Sequence, residues 1–488
     1  MVTVADPVDD RPFVWKVQCE SSLKPRVKPG DDPETAVAKG WIVARTPGDY
    51  EISVLGRMED GFLQVEEVLS DDPDWSLDQT QPYVHLRKVC RDTLSNRRNG
   101  GLYRPGLVRT SHEDSGVYTS LVFDEWSERD HVTRLVIFGD SLSDTGRLKR
   151  RLKMVPRPPY WVGRFANGPV WSDYLEVSAQ LAVQNHARGG AMATQREPMD
   201  SEELIQRIYT NGQFFVSGSI THQIDGYTAN DVGDSGVVRA DASVAILWAG
   251  ANDYISKEAF DSSISLLLSK PYAEDGYASI VSKVTDALEL NLAQLRELGF
   301  KRMMLVNLPN LGLTPMVLQN DSYMVSRKYE SEEARLIDFS TRLAELTRRH
   351  NQELVTMVDR FLADSPGVEV IVMDADAAFA QVTDPEFGGD ILGFDLESRK
   401  VQVEFEGREV AIQNQCYSGM TMGVFSPTAN VCDEASRAVF WDLVHPTTFF
   451  HCWMAYMMGD LMFNEGWIGP MPPLEEYRGW CEMVADAY

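Results

Sequence analysis

Residues 131–488 read as an α/β fold, a three-layer α/β/α sandwich around a mainly parallel sheet. Residues 1–130 read as a separate, small, mostly β domain. Three observations point there. Apolar runs of strand length recur along the second region, and long stretches with helical apolar spacing separate them. The first region changes to a two-residue period broken by Gly, Pro and Asp.

In the first region the alternating stretches are "GWIVAR", "YEISVLGRM", "GFLQVEEVL" and "GVYTSLVFDEW", with the polar, turn-rich "RDTLSNRRNGGLYRPG" among them. None carries recognisable chemistry. In the second, "RLVIFGD", "SVAILWAGAND", "RMMLVNLP" and "VEVIVMDAD" are buried-strand runs. The stretch "SIVSKVTDALELNLAQLRELG" spaces its apolar residues as a helix and ends on Gly. A second helix, "LIDFSTRLAELTRRHNQELVTMVDRFLAD", precedes the fourth strand. This alternation implies parallel strands joined by right-handed crossovers, with ligands bound beyond the C-terminal strand ends. Ser141 and Asn252 follow the first and second of these runs.

The chain has 488 residues, 43% hydrophobic and 24% charged, enough to build a sizeable core. Its formal charge of −27 repels nucleic acid and anionic lipid at long range, which argues against DNA or RNA as the main partner. No apolar run reaches the length of about eighteen residues that a membrane-spanning helix needs. The opening "MVTVADPVDDRPFVWKV" has early acids and no apolar centre, so it does not read as a secretory signal. The expectation is export, or translocation into a host cell, by a signal-less route, with the cytoplasm as the alternative. Six cysteines are too few for a disulfide framework in a chain this long, and no spacing matches a zinc site. Cys416 and Cys432 bracket a turn-rich loop whose closure would contribute roughly 3 kcal/mol, but a reduced pair fits the spacing equally well. Cys19 and Cys90 form a second candidate pair on weaker grounds.

The first chemical candidate is Ser141 in "FGDSLSDTG", where a strand breaks at Gly139-Asp140 and turns toward a helix. Ser141 or Ser143 there is either a helix cap or, with a base and an orienting acid, a nucleophile. The stretch "FWDLVHPTTFFHCW" supplies Asp442 and His445, three residues apart and able to face one pocket. Gly190 in "NHARGGAMAT" lacks a Cβ, so its backbone N–H can approach an oxyanion. Asn252 in "LWAGANDY" places a side-chain amide just past a strand. Together these residues supply every part of an acyl-transfer site without metal or cofactor.

"FGDSLSDTG", the glycine block, "GAND" and "DLVHP" resemble, in order, the four blocks of the GDSL, or SGNH, hydrolases. "GRFANGPVW", "LPNLGLTP" and "FWDLVHPT" resemble the bacterial branch of glycerophospholipid–cholesterol acyltransferases and thermolabile haemolysin-type phospholipases, a branch that includes an acyltransferase effector injected into host cells. The resemblance covers about residues 132–465, with gaps near 196–240 and 256–280. It departs at Asn310, where relatives often carry Asp. It implies a flavodoxin-like sheet, a Ser141 nucleophile, an Asp442–His445 acid–base pair, and an oxyanion hole from the Ser141 amide, Gly190 and Asn252. The implied substrate is a phospholipid or lysophospholipid, with water or a sterol hydroxyl as acyl acceptor. A carbohydrate deacetylase or short-chain esterase on the same scaffold is the rival.

Three stretches remain. Residues 146–165, "GRLKRRLKMVPRPPYWVGRF", carry seven Lys or Arg, no acid, and Tyr160, Trp161 and Phe165. This composition suits either a peripheral membrane contact, at about 1 kcal/mol per cation, or a helix and Pro-rich loop packed on the core. "FFHCWMAYMMGDLMF" reads as a core helix, not a lipid groove. His186 and His451 read as packing residues.

Overall fold

The computed structural model describes residues 13–20, 41–95, 108–111, 118–119, 121–123, 131–152, 155–157, 159–195, 218–232, 238–239, 242–255, 274–318, 329–419 and 430–486. Seven N-terminal strands form one sheet: β1 (Phe13–Glu20), β2 (Trp41–Val43), β3 (Ile52–Glu59), β4 (Phe62–Ser70), β5 (Val108–Ser111), β6 (Tyr118–Thr119) and β7 (Leu121–Phe123). Their order is β6-β5-β1-β3-β4-β7, with β2 also paired to β1. The sheet is antiparallel except where β7 joins β4. Its first half of β3 alternates buried and half-buried residues, the pattern of a sheet with one face on a core.

Besides the short β5, two N-terminal elements escaped the sequence analysis. Strand β1 follows an acidic, Pro-containing opening that masks its period. Helix α1 (Pro82–Ser95) hides its apolar stripe of Tyr83, Leu86, Val89 and Cys90 among polar neighbours. A Cys19–Cys90 disulfide ties helix to strand.

The second sheet is made of β8 (Arg134–Gly139), β9 (Ala182–Asn185), β10 (Ser243–Trp248), β11 (Arg302–Val306) and β12 (Glu369–Met373). Its order is β12-β11-β10-β8-β9, and every neighbouring pair is parallel. Four of the five strands are the runs the sequence singles out. The fifth, β9, is a short edge strand carrying Gln184 and Asn185, too polar to read as a buried run. It makes Asn252 follow the third strand of the sheet, not the second. Every residue of β8 and β10 is buried, so both appear as unbroken apolar runs. In chain order the arrangement is 2-1-3-4-5, the flavodoxin-like order, whose direction reverses between β8 and β10.

Helices α2 (Arg147–Leu152), α3 (Trp171–Ser178), α4 (Ile220–Tyr227), α5 (Ala251–Ile255), α6 (Glu274–Glu297), α7 (Glu332–Ala363), α8 (Ala375–Val382), α9 (Thr448–Asn464) and α10 (Leu474–Ala485) accompany this sheet, with a hairpin of β13 (Lys400–Phe405) and β14 (Arg408–Gln413). Helix α9 is the aromatic and Met-rich stretch, and it is buried over most of its length. The two sheets share one apolar core that runs from Ile52, Val54 and Phe62 into Val136, Phe138 and Ala245. Arg134, the first residue of β8, is buried at the join. Its guanidinium donates to Glu59 (2.7 Å) and Gln64 (3.2 Å) and lies 3.6 Å from Asp60.

The cysteine expectation needs correcting. All six cysteines pair, as Cys19–Cys90, Cys416–Cys432 and Cys452–Cys481. The third bond joins α9 to α10 and had no local signal, because a covalent pair is set by tertiary proximity, not spacing.

The aromatic residues of the basic stretch are packed on the core. Tyr160, Trp161 and Phe165 are buried, and Arg164 is buried against Asp173 through two hydrogen bonds of 3.0 and 2.8 Å. Arg147 donates to the Asn185 carbonyl. The stretch therefore offers no aromatic belt to a bilayer. The side chains of Arg150 and Arg151, and Lys153, lie outside the described residues.

Candidate active site

The site forms where β8 ends. Gly139 is needed there because a Cβ would lie 2.8 Å from the Trp248 carbonyl oxygen of β10. The side chain of Gln223 on α4 grips both polar groups of Gly139, accepting from its N–H (2.9 Å) and donating to its carbonyl (2.8 Å). No local sequence feature marked Gln223 for this task.

Beyond Gly139 the chain turns over residues 140–143, and helix α2 begins only at Arg147. Asp144 satisfies the amides around that start, accepting from Gly146, Arg147 and Leu148. Ser141 is therefore not the cap of α2, and the helix the sequence placed directly after it is displaced by several residues. The Ser143 hydroxyl instead accepts from the Trp171 indole (3.1 Å). The Ser141 hydroxyl lies 2.7 Å from His445 Nε2.

His445 reaches that position from a tight turn. Asp442 Oδ1 accepts the backbone N–H groups of Val444 (3.0 Å) and His445 (2.8 Å), which folds the turn back on the carboxylate. The ring then sets its Nδ1 2.9 and 2.8 Å from the two oxygens of Asp442. Such an Nδ1–H bond fixes the tautomer and leaves Nε2 facing the serine. Thr447 caps α9 immediately afterwards. Asp442 is 1% and His445 5% exposed. Burial pushes the Asp442 carboxyl up, but the charge of His445 and hydrogen bonds from His445, Tyr160 and Val444 outweigh it and hold the group below its ordinary range. The Tyr160 hydroxyl, donating to Asp442 Oδ2, is a contact that sequence analysis missed.

Gly190 and Asn252 line the same pocket as Ser141 and His445. Gly190 has φ +77°, a conformation that favours glycine. The Asn252 amide is already engaged, donating to the Ala191 carbonyl (3.0 Å) and to Asp140 Oδ2 (3.2 Å). Asp253 braces the region by accepting from the amides of Ala193 (2.8 Å) and Thr194 (3.1 Å), which ties the glycine loop to α5. Burial pushes the Asp140 carboxyl up to about 7. All five sequence-predicted residues thus converge on one volume. His186 does not: it is buried between Phe138 and Tyr227, where burial and the nearby Arg147 and Arg188 hold its pKa well below the ordinary value. His451 is likewise buried in α9.

From Ser141 an apolar cavity of about 1310 Å³, open mouth included, passes the ends of β10, β11 and β12. Trp248, Leu311, Phe379, Phe440, Phe450 and Met454 are among its walls. Three strand spacings of ~4.8 Å give it a reach of roughly 14 Å. Phe450 and Met454 belong to α9, so one edge of that core helix also walls the cavity. Asn310 stands in the wall too, its Oδ1 accepting from the Gly312 amide (3.0 Å). Among the described residues no cluster suited to a metal ion is present. The arrangement places a hydroxyl, a base and an orienting carboxylate at the head of a long apolar groove, which can hold an ester with its acyl chain extended.

A model of the GDSL-like lipase/acylhydrolase family matches residues 135–456. Similar proteins include the phosphatidylcholine-sterol acyltransferase of Aeromonas hydrophila, 26% identical over 345 residues that cover 66% of this chain and 88% of the relative. The thermolabile hemolysin of Vibrio parahaemolyticus is 23% identical over 362 residues, covering 73% of this chain and 68% of its own. The secreted effector protein SseJ of Salmonella typhimurium is 25% identical over 332 residues, covering 67% of this chain and 63% of the effector.

Proposed function

We propose, from the premise that the chain belongs to the GDSL-like lipase/acylhydrolase family, that it cleaves a long-chain acyl ester of a phospholipid through an acyl-enzyme on Ser141. The observation that carries this reading is the 2.7 Å approach of His445 Nε2 to the Ser141 hydroxyl at the head of the apolar cavity. His445 takes the hydroxyl proton as Ser141 Oγ forms its bond to the ester carbon, and Asp442 stabilises the imidazolium. The Ser141 amide, Gly190 and Asn252 are the oxyanion donors. The negative oxygen has to replace the longer bond, that between Asn252 and Asp140. His445 then gives the proton to the departing alkoxide, and the acyl group stays on Ser141.

A second alcohol or a water molecule, deprotonated by His445, releases the acyl group. Likeness to a phosphatidylcholine-sterol acyltransferase supports a sterol hydroxyl as one acceptor. The chemistry of this site is the same for either acceptor, so the triad does not select it. Three disulfides support work in an oxidising setting outside the reducing cytosol, as does likeness to a secreted effector.

The test is incubation with phosphatidylcholine liposomes labelled in the acyl chain, with and without cholesterol. Expected are free fatty acid in both and sterol ester only with cholesterol, with neither product from Ser141→Ala. Release of acetyl but not palmitoyl groups from model esters would replace this reading with the short-chain esterase or deacetylase.

A further inference from the structure

Asp442 is held from two sides. Its Oδ1 is fixed by the backbone of its own turn, while Oδ2 receives the hydroxyl of Tyr160, a residue 282 positions away. Tyr160 lies in the basic stretch for which a membrane contact was one of two readings, yet the residue is 3% exposed. That ring stands edge-on to Tyr417 (5.6 Å) and Trp441 (6.2 Å), which are themselves stacked at 5.5 Å and 15°. Tyr417 follows Cys416 of the Cys416–Cys432 disulfide, and its amide donates to the Trp441 carbonyl (2.6 Å), one residue before Asp442. The tyrosine that touches the carboxylate and the ring pair beneath it therefore form one buried cluster with the disulfide.

We propose that Tyr160 is a positioning residue. By donating to Asp442 Oδ2 it fixes the carboxylate plane that orients His445, and the Tyr417–Trp441 pair fixes Tyr160. The inference rests on the acyl-enzyme reading given above. A hydroxyl donated to one oxygen also draws charge away from the carboxylate, so Asp442 attracts the imidazolium less than an unassisted carboxylate does. Removing the hydroxyl makes the carboxylate more basic and the imidazolium more stable, and His445 then keeps its proton to higher pH.

The experiment uses the full chain and a soluble p-nitrophenyl ester. For Tyr160→Phe, kcat falls about tenfold, the scale of one hydrogen bond to a charged group, while KM stays within about twofold. The acid limb of the kcat/KM profile moves to higher pH by about half a unit. In an Asp442→Asn background the same substitution has no further effect, because the group through which it acts is gone. An unshifted acid limb in Tyr160→Phe overturns the proposal, as does an equal kcat loss with and without the Asp442 carboxylate. Full turnover by Ser141→Ala overturns the acyl-enzyme reading itself, whereas an inactive Ser141→Ala beside a silent Tyr160→Phe overturns only the role of Tyr160. Where Tyr160→Phe does not fold, Tyr417→Leu removes the supporting ring and leaves the hydroxyl. A fall in kcat at constant KM then supports the proposal, and unchanged kcat overturns it.

Discussion

The two sheets of this protein solve the same burial problem in different ways. In the N-terminal sheet neighbouring strands run mostly antiparallel, β3 alternates buried and half-buried residues, and a disulfide pins α1 to β1. In the C-terminal sheet β8 and β10 are buried end to end, and helices cover the sheet. A sheet covered on both faces leaves only its strand ends open, and there the site gathers. An antiparallel sheet with turns at both ends has no such common edge. The difference teaches that the chemistry follows topology: reversal of strand order between β8 and β10 creates the crevice that Ser141 and Asn252 flank.

Four variants probe that contrast. The largest effect falls on the parallel sheet: His445→Ala lowers kcat by about 10⁴–10⁶-fold, the scale of losing a triad base, with the melting temperature held near the parent's. Activity within tenfold of the parent breaks the assignment. The N-terminal sheet answers in stability instead. Cys19→Ser with Cys90→Ser opens a loop of 71 residues and costs about 4 kcal/mol by urea unfolding, while turnover at 25 °C is unchanged. A matching loss of kcat there would show that this sheet shapes the site. Asn252→Ala costs about 3 kcal/mol of transition-state stabilisation, or 10²–10³-fold in kcat, with KM for a soluble ester little changed.

The smallest effect at neutral pH concerns buried histidines of the C-terminal region. Burial holds His350 and His451 down at about 3, so both are neutral in the folded chain. Unfolded histidines bind protons below about 6.5, so stability is full above that pH and is lost as pH falls toward 3. His451→Leu, which removes one such group, leaves the urea midpoint at pH 8 near the parent's. It loses less between pH 6.5 and 4. Equal losses in parent and variant would remove His451 from the acid response.

Legibility in the sequence followed the strength of the local pattern. β8, β10 and β11 were readable because burial on both faces leaves an unbroken apolar run, and the half-buried edge strand β12 because Val370, Ile371, Val372 and Met373 keep such a run. β9 was not, because Gln184 and Asn185 sit at the sheet's edge and interrupt the run. α1 was hidden by its polar face, and Cys452–Cys481 by the absence of any spacing rule for contacts between helices. In the site, Ser141, Gly190, Asn252, Asp442 and His445 were named because each belongs to a short block with its own chemistry. Gln223, Asp253 and Tyr160 were missed because each acts on atoms far away in the chain.

The sequence by itself determined the α/β class, the parallel sheet, four residues that line the pocket (Ser141, Gly190, Asn252 and His445) and Asp442 behind the histidine, since apolar periodicity and short motifs are local properties. Tertiary structure alone decided that Ser141 faces a histidine 304 residues away and is no helix cap. It also decided that the buried Tyr160 hydroxyl donates to Asp442, and that all six cysteines pair. The physical reason is the same throughout. A side chain's chemistry is written in its type, but its partner is chosen by packing, which brings together segments that no window of sequence contains.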